Sequence, residues 1–490
     1  MSWDPELERA FHPNSIAIVG ASSAPAAQDQ QWGGGNQFIR YLQDLSFAGR
    51  IYPVNPKATT IRGLQAYPSV SAIPEPVDLV IITVPAPIAP LVLEDCIHAG
   101  ARNIHMFTSG YGEVGDEEGR RRELQVAEIA RRGGLRIIGP NCMGLHVPAA
   151  RISTMNGQPA GPGPVALVSQ SGGHANFFIR HFGDQGIGLS KVISFGNGLV
   201  LESCDFLEYL AQDPETRIIC MYIEGVKQGR RLFELVREVN PRKPVLIWKG
   251  GLSQAGAGAA ASHTGSLAGA PQVWEAFFRQ TGAVPVKSVD EMADVVRLFL
   301  HMAPLTGRRA CVIGGGGGNS VAWADICNSH GLEVPALQEG TRALLRRYVP
   351  PAGNGIRNPL DAAPLLRDLT ALRQAMELVA ADPNIDLFIL NSDFQMGSQP
   401  NPEALEKLGS FLIDFAHSAS GKPVVGVLDT ANREVLASTA KLVPQLQKGG
   451  VPVFSTLPRA ARSLNSFVSY HLALRQSQDA QAGPLPSPGN

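Results

Sequence analysis

The sequence predicts an α/β protein built from parallel sheets, and three observations carry that reading. Short β-branched runs alternate with helical patterns almost from end to end, as successive βαβ units require. Most of these runs end in Gly, Pro, Ser or Asn, residues that let a chain leave a sheet at its carboxyl edge. Glycine (52) and proline (37) are abundant among the 490 residues, which suits many tight βα turns and not long helical bundles. At roughly 150 residues per domain, the chain has room for about three.

The first block of expected strands is SIAIVGAS (15–22), RIYPVNP (50–56), DLVIITVP (78–85), NIHMFTSG (103–110) and LRIIGPN (135–141). NGQPAGPGP (156–164) reads as a linker or hairpin. A second block follows with VALVSQSGG (165–173), KVISFGNG (191–198), RIICMYIEGV (217–226) and KPVLIWKGG (243–251). AGAGAAASHTGSLAGA (255–270) is too rich in small residues for a core strand. A third block holds RACVIGGGGGNS (309–320), IDLFILNSD (385–393), KPVVGVLDT (422–430) and VPVFSTL (451–457). Expected domains are 1–150, 151–305 and 306–472, with 473–490 a disordered tail. There is no short-period repeat, but blocks two and three each open with a strand and a Gly-rich turn and read as similar units.

Composition excludes several classes. With 44% hydrophobic and 17% charged residues the chain is a packed globular protein. A formal net charge of −1 and no long basic run leave no electrostatic footprint for nucleic acid or an anionic membrane. Six scattered cysteines without a C-x-x-C pair argue against a structural zinc site and a secreted disulfide framework, so no metal is expected. The polar N-terminus MSWDPELERAFHPNS is no signal peptide, and no apolar run spans a bilayer; a soluble cytoplasmic protein is expected.

The motifs offer chemistry, each beside a plainer reading. The first turn, GASSAPAAQDQQWGGGNQF, lets backbone N–H groups approach phosphates, or is an ordinary βα turn. It lacks G-x-G-x-x-G spacing, and no acidic residue ends RIYPVNP, which disfavours an NAD oxidoreductase. GPNCMG (139–144) puts Asn141 and Cys142 at the ligand edge, where Cys142 also fits a buried, space-filling thiol. VSQSGG (168–173) suits an anion at a helix N-terminus; its serine equally suits an N-cap. In SHTGSLAG (262–269), His263 is a potential covalent nucleophile on a loop of small residues, with little apolar surface for a core histidine to pack against. Glu224 in YIEGV (222–226) could support an imidazole, or simply be solvated at a strand end. GGGGGNS (314–320) lacks the G-K-[ST] ending of a P-loop, and close backbone packing explains it as well as a phosphate does.

Taken in order, SIAIVGAS, IYPVNPKATTIRGLQAYPSVSAIPEPVDLVIITVPA, GPNCMG, VSQSGG, YIEGV and SHTGSLAG resemble the NDP-forming (ADP-forming) acyl-CoA synthetases, relatives of the succinyl-CoA synthetase α subunit. The resemblance covers roughly residues 10–365 with specific motifs, and the rest more loosely. It implies a Rossmann-like CoA-binding domain followed by two flavodoxin-like ligase domains. It further implies a phosphohistidine at His263 supported by Glu224, and a phosphate-holding turn at Ser169, Ser171, Gly172 and Gly173. Coenzyme A contacts are implied at Gly20, Ala21, Ser22, Ser23, Asn55, Pro56, Lys57, Pro85, Ser109, Asn141 and Cys142. The three blocks leave no room for the family's ATP-grasp domain. An ATP-grasp (β-type) partner subunit carrying ATP/ADP and Mg2+ is therefore expected, in a hetero-oligomer acting on a small carboxylic acid.

Two segments depart from the family pattern near the expected acyl or phosphate site: GHANFF after SQSG, and GLVLES after SFGN. Phe177 and Phe178 fit either a larger acyl pocket or plain core. Two other functions compete on the same scaffold, a nucleotide-independent acyl or carbamoyl transferase and a non-catalytic CoA-sensing module. The intact SHTGSLAG motif disfavours both, since neither needs a nucleophile on such a loop.

Overall fold

The computed structural model describes residues 4–22, 34–155, 161–258, 269–349, 355–361, 365, 368–392, 402–418, 421–428 and 441–482. It divides into two compact units, Met1–Val289 and Asp290–Asn490.

The first unit opens with β1 (Ser15–Val19), β2 (Arg50–Val54), β3 (Thr60–Ile61), β4 (Leu64–Gln65), β5 (Leu79–Ile82), β6 (Asn103–Met106) and β7 (Arg136–Ile138). β3 and β4 form a small antiparallel hairpin, while the others make a parallel sheet in the order β2-β1-β5-β6-β7. Helices α1 (Pro5–Phe11), α2 (Gly35–Asp44), α3 (Ala89–His98) and α4 (Glu117–Gly133) intervene. Every residue of β1, β5 and β6 is buried, as parallel strands covered on both faces must be. α2 turns Phe38, Ile39 and Leu42 to the core. α4 starts at Asp116, whose Oδ1 accepts the Gly119 N–H at 2.6 Å, and ends on left-handed Gly134.

The second sheet of this unit contains β8 (Gly144–Val147), β9 (Ile152–Ser153), β10 (Pro162–Ser169), β11 (Leu189–Ser194), β12 (Ile218–Ile223), β13 (Val245–Lys249) and β14 (Val284–Val286). Their order is β14-β13-β12-β10-β11-β8-β9, parallel except for the β8–β9 edge. Helices α5 (Gly172–Asp184), α6 (Ser203–Gln212) and α7 (Gly229–Val239) follow β10, β11 and β12. β10 begins at Pro162, inside the stretch that reads as a linker. β8, β9 and β14 are too short for a period-2 pattern to announce them.

The second unit holds β15 (Ala310–Gly314), β16 (Leu360–Asp361), β17 (Leu387–Ser392), β18 (Val424–Leu428) and β19 (Val453–Phe454), all parallel, in the order β16-β15-β17-β18-β19. All three sheets therefore share one winding: the second strand lies on one side of the first, and the later strands stack on the other. Blocks two and three are similar units in this sense, and so is block one. The winding reverses at β1/β5, β10/β12 and β15/β17, where loops diverge and leave a crevice. In the Gly-rich turn after β15, a Cβ on Gly314 would run into the Trp323 ring, while the Gly316 N–H donates to Asp361 Oδ1 at 2.7 Å. Ser320, Asp325, Arg357, Asn358 and Asp361 help line a cavity of about 820 Å³ beside it. The last helix runs Leu457–Ala482, continuing well past residue 473, where the sequence reads a tail. Leu464, Phe467 and Val468 anchor it in the core, and the Gln- and Ala-rich continuation adds turns to a helix already nucleated. Among the described residues no helix is long and apolar enough to cross a membrane.

A backbone seam joins the two sheets of the first unit. The N–H groups of Asn197, Leu199 and Leu201 donate to the carbonyls of Pro140, Gly139 and Ile137 at 3.1, 3.0 and 3.2 Å, so residues 197–201 lie along the end of β7. Asn141 Nδ2 reaches Asn197 Oδ1 (3.3 Å), and Asn197 Nδ2 donates to Glu113 Oε2 (2.6 Å). One apolar cluster runs across the seam from Ile16, Ile18 and Phe38 to Val168, Ile193 and Phe206. Leu199 and Val200, within the GLVLES departure, pack on the first sheet's core. This departure belongs to the seam, where apolar residues replace polar ones because they are covered.

Two predictions follow from the seam. Gly196 has φ +54°, and a Cβ there would run into the Pro140 and Asn141 carbonyl oxygens. Gly196→Ala should cost at least about 2 kcal/mol, read as a lowered urea midpoint, because neither backbone can yield. Gly229→Ala, where a Cβ meets nothing within 4 Å, should leave the midpoint unchanged. Next to the seam, burial lowers the pKa values of His105 and His146 to about 4. The unfolded chain therefore binds protons that the folded chain refuses, so stability rises with pH between about 4 and 6.5. Moving from pH 8 to pH 5 should cost about 2 kcal/mol per histidine, measured as urea midpoints across that range.

Candidate active site

The strongest cluster of functional side chains lies at the β10/β12 crevice. β10 ends at Ser169, and the turn Gln170–Ser171 leads into α5. Ser171 is the N-cap, its Oγ accepting the His174 N–H at 3.3 Å. Ser169 is fully buried; its hydroxyl donates to the Ser171 carbonyl (2.8 Å) and accepts the Ser171 N–H (3.2 Å), so it fixes the turn from within. Gly172 begins the helix with Met143 against it, and a Cβ would overlap that side chain. At Gly173 the nearest atom to a Cβ would be Ser171 Oγ, at 3.8 Å, leaving the helix start approachable by a ligand. Both the N-cap and anion-site readings of VSQSGG therefore fit the same turn, with the helix dipole directed at its opening.

Glu224 follows β12 directly and is 5% exposed, so it is not the solvated strand-end residue of the plainer reading. The Tyr222 hydroxyl donates to Glu224 Oε1 at 3.1 Å. Burial first, and the Glu224 charge second, push the Tyr222 hydroxyl pKa up, so it stays a donor. Gln170 ties the two strand ends together. Its Oε1 accepts the N–H groups of Glu224 and Gly225, the latter at 2.9 Å, and its own N–H donates to the Tyr222 carbonyl at 3.1 Å. The His174 ring stacks on Tyr222 (4.2 Å between centroids) and meets Trp248 edge-on (4.7 Å). Lys249, at the end of β13, donates through Nζ to the Glu224 carbonyl at 2.8 Å. Sequence reasoning did not single out Gln170, Tyr222, His174 or Lys249. Tyr222 was within reach, since it shares a strand face with Glu224 two residues on. Lys249 was too, as a charge ending an otherwise apolar strand.

His263 lies outside the described residues, on the connection between Gly258 and Gly269. On its way to that connection the chain passes this crevice: a Cβ on Gly250 would sit 2.8 Å from the Tyr222 hydroxyl and 3.5 Å from Glu224 Cγ. Phe178 is 1% exposed and stacks on Phe182 in the core, while Phe177 is 48% exposed on the outer side of α5. The plain-core alternative thus holds for Phe178, and Phe177 faces solvent. The residue of the GHANFF departure that reaches the site is His174.

The second group of candidates lies at the β1/β5 crevice. Gly20 has φ +100° and leaves no space for a side chain, because a Cβ would stand 2.5 Å from Thr83 Oγ1. Ser22, Pro56, Lys57, Pro85 and Ser109 are exposed along the same edge, at the carboxyl ends of β1, β2, β5 and β6. Asn55 and Ala21 serve the framework: Asn55 Nδ2 donates to the buried Ala21's carbonyl (2.7 Å), and Asn55 Oδ1 accepts the Lys57 and Ala58 N–H groups. Ser23 lies outside the described residues. Asn141 takes a left-handed φ of +56°, presenting the loop after β7. Cys142 is 4% exposed, with Sγ 3.5 Å from the Ile138 carbonyl oxygen, and burial pushes its thiol pKa up. Its side chain is the space-filling thiol of the alternative reading, and its carbonyl oxygen meets the buried His105 Nε2 at 3.3 Å. Met143 links the crevices: its N–H donates to Ser194 Oγ (3.1 Å) while its side chain packs on Gly172.

Comparisons with known proteins fall on the same segments. Residues 14–148 match the family described as a CoA binding domain, and residues 162–299 match the succinyl-CoA ligase like flavodoxin domain. The chain is 38% identical to the Acetate--CoA ligase [ADP-forming] II subunit alpha of Pyrococcus furiosus, over 91% of this chain and 94% of that one. It is 37% identical to the Acetate--CoA ligase [ADP-forming] I of Archaeoglobus fulgidus, over 78% of this chain but only 54% of that longer relative. Among solved structures, a dinucleotide forming acetyl-coenzyme A synthetase 1 from Ca. Korarchaeum cryptofilum, in complex with phosphate and ADP, superposes with a TM-score of 0.82 at 29% identity, covering 98% of this chain and 99% of that one. With both α/β crevices built from its motifs and relatives matched along nearly its whole length, the chain belongs to the ADP-forming acyl-CoA ligases, acid–thiol ligases, as a counterpart of their α subunits.

Proposed function

We propose that this chain is the CoA-binding, phosphohistidine-bearing subunit of an acid–CoA ligase: acid + CoA + ATP = acyl-CoA + ADP + Pi. The observation that carries the reading is the convergence of Glu224, Tyr222, Gln170 and the Ser171–Gly173 helix start at one crevice. In the ATP-forming direction, a phosphate oxygen attacks the thioester carbonyl carbon. The C–S bond breaks, CoA leaves as thiolate, and an acyl phosphate remains. A ring nitrogen of His263 then attacks phosphorus, the P–O bond to the acyl oxygen breaks, and the carboxylate departs. Phosphohistidine finally passes its phosphoryl group to ADP.

The chain's own groups have separate tasks. Glu224 orients the imidazole through a hydrogen bond and stabilises its positive charge, with Tyr222 holding the carboxylate. The α5 N-terminus at Ser171, Gly172 and Gly173 receives the phosphate, an interaction typically worth about 0.3–1 kcal/mol and up to about 2 when partly buried. Ser169 keeps the turn in shape. The β1/β5 edge fits CoA, because Gly20 packs the end of β1 tightly on Thr83 and Ser22, Lys57, Pro85 and Ser109 stand exposed around it. Asn55 and Ala21 build that edge, and Asn141 and Cys142 border it through backbone.

Nucleotide chemistry is assigned to a separate ATP-grasp (β-type) partner that binds ATP or ADP with Mg2+, forming a hetero-oligomer. Two facts support this: the α-subunit relative matches this chain in extent, whereas this chain's match covers only 54% of the Archaeoglobus relative. We place the enzyme in the cytoplasm, consistent with six free, buried thiols. The substrate is a small carboxylic acid.

The test is transfer of labelled inorganic phosphate to the chain in the presence of a panel of acyl-CoA thioesters. Acid-labile, alkali-stable label should appear with one acyl group and vanish in His263→Ala. Glu224→Gln should reduce the labelling rate by roughly 100-fold while leaving CoA affinity within about twofold. Label that persists in His263→Ala, or none with any thioester or with the partner and ATP, would return the nucleotide-independent transferase or the CoA sensor to first place.

A further inference from the structure

Lys249 is 5% exposed, and a buried ammonium is costly unless its surroundings use the charge. Its Nζ donates to two carbonyls, that of Glu224 at 2.8 Å and that of Gly250, and lies 5.4 Å from the centroid of the Trp274 ring. These three contacts have different places in the chain. Glu224 ends β12. Gly250 is the first residue of the segment that leads out toward His263. Trp274 sits in the first turn of helix Pro271–Thr281, where the chain has returned, and a Cβ on Gly269 would stand 3.3 Å from its Nε1. One cation therefore touches the carboxylate-bearing strand end, the residue after β13 and the helix that follows the connection. A methionine of similar length would fill the same space without joining the two carbonyls.

We infer that Lys249 is a positioning residue for phosphoryl transfer, joining the strand end that carries Glu224 to Gly250 and Trp274, described residues on either side of the connection that holds His263. The inference rests on the proposed phosphohistidine function and adds a residue to that site. Charge strengthens the clamp, because hydrogen bonds from an ionised donor are about twice as strong as neutral ones. Burial lowers the Lys249 pKa to about 8, with the Glu224 charge working in the opposite direction. Among the described residues, Glu224 is the ionisable group acting on this charge, and helix Pro271–Thr281 presents the uncharged Trp274 ring to it. The clamp thus weakens as pH rises through about 8.

The experiment compares full-length wild type, Lys249→Arg and Lys249→Met with the partner subunit. It follows the rate of phosphohistidine formation from pH 6 to 9.5, with CoA affinity and thermal midpoint measured alongside. Expected are a wild-type rate that falls with a midpoint near pH 8, a Lys249→Met rate reduced roughly tenfold or more at pH 7 without that midpoint, and a Lys249→Arg rate that holds at higher pH. CoA affinity should not move in either variant. Wild-type rate and pH profile in Lys249→Met would overturn the inference. Should Lys249→Met fail to fold, Lys249→Arg decides alone: a midpoint still near pH 8 overturns it. Absence of label in the wild type is a different result, since it removes the phosphohistidine function itself and this inference with it.

Discussion

The candidate site depends on one side-chain amide. Gln170 sits where the winding of the second sheet reverses, the place at which neighbouring loops diverge and backbone groups lose their partners. Its carbonyl oxygen takes up the N–H groups of Glu224 and Gly225, and its backbone N–H continues the ladder to Tyr222. Without that oxygen, two buried N–H donors would be stranded beside a buried carboxylate, at about 1–3 kcal/mol each. The same contact fixes the distance from the α5 helix start to Glu224, so the positive end of a helix dipole and a buried carboxylate share one opening.

A second constraint makes the two crevices of the first unit parts of one body. The loop after β7 carries Asn141 at the first crevice and, two residues on, Met143 against Gly172 at the second. Residues 197–201 bond along the end of β7, and the apolar cluster beneath is continuous. In the proposed reaction, a thioester bound at the first crevice presents its carbonyl to phosphate at the second. A rigid seam removes the entropic cost of bringing these together, which is how positioning contributes to rate.

The buried charge of Lys191, also in the first unit, is paired and structural. Lys191, with no exposed surface, bonds Asp213 Oδ2 (2.9 Å) and Glu215 Oε2 (2.6 Å), and Thr216 Oγ1 also donates to Asp213. That network is fully furnished with carboxylates. Lys249 differs because its acceptors are two carbonyls and an aromatic face. A lysine held by dipoles and not by an adjacent carboxylate oxygen keeps a pKa close enough to neutrality to respond to pH.

The alternation of β-branched runs with helical patterns determined the α/β class, because parallel strands covered on both faces must be apolar throughout and must be separated by crossovers. Motif spacing likewise marked both crevices, since only Gly, Ser, Asn and Pro suit the strand-to-helix turns found at Gly20, Asn141 and Ser171. Side-chain direction, in contrast, was decided by tertiary structure. Ser169 and Cys142 lie in the right motifs, yet packing turns the hydroxyl into the turn and the thiol into the core. Glu224 is buried and its backbone held by Gln170 only because β10 and β12, far apart in sequence, become neighbours. GLVLES joined the seam and His174 joined the site for the same reason: a linear pattern records which residues are apolar or small, and three-dimensional contact determines what each one meets.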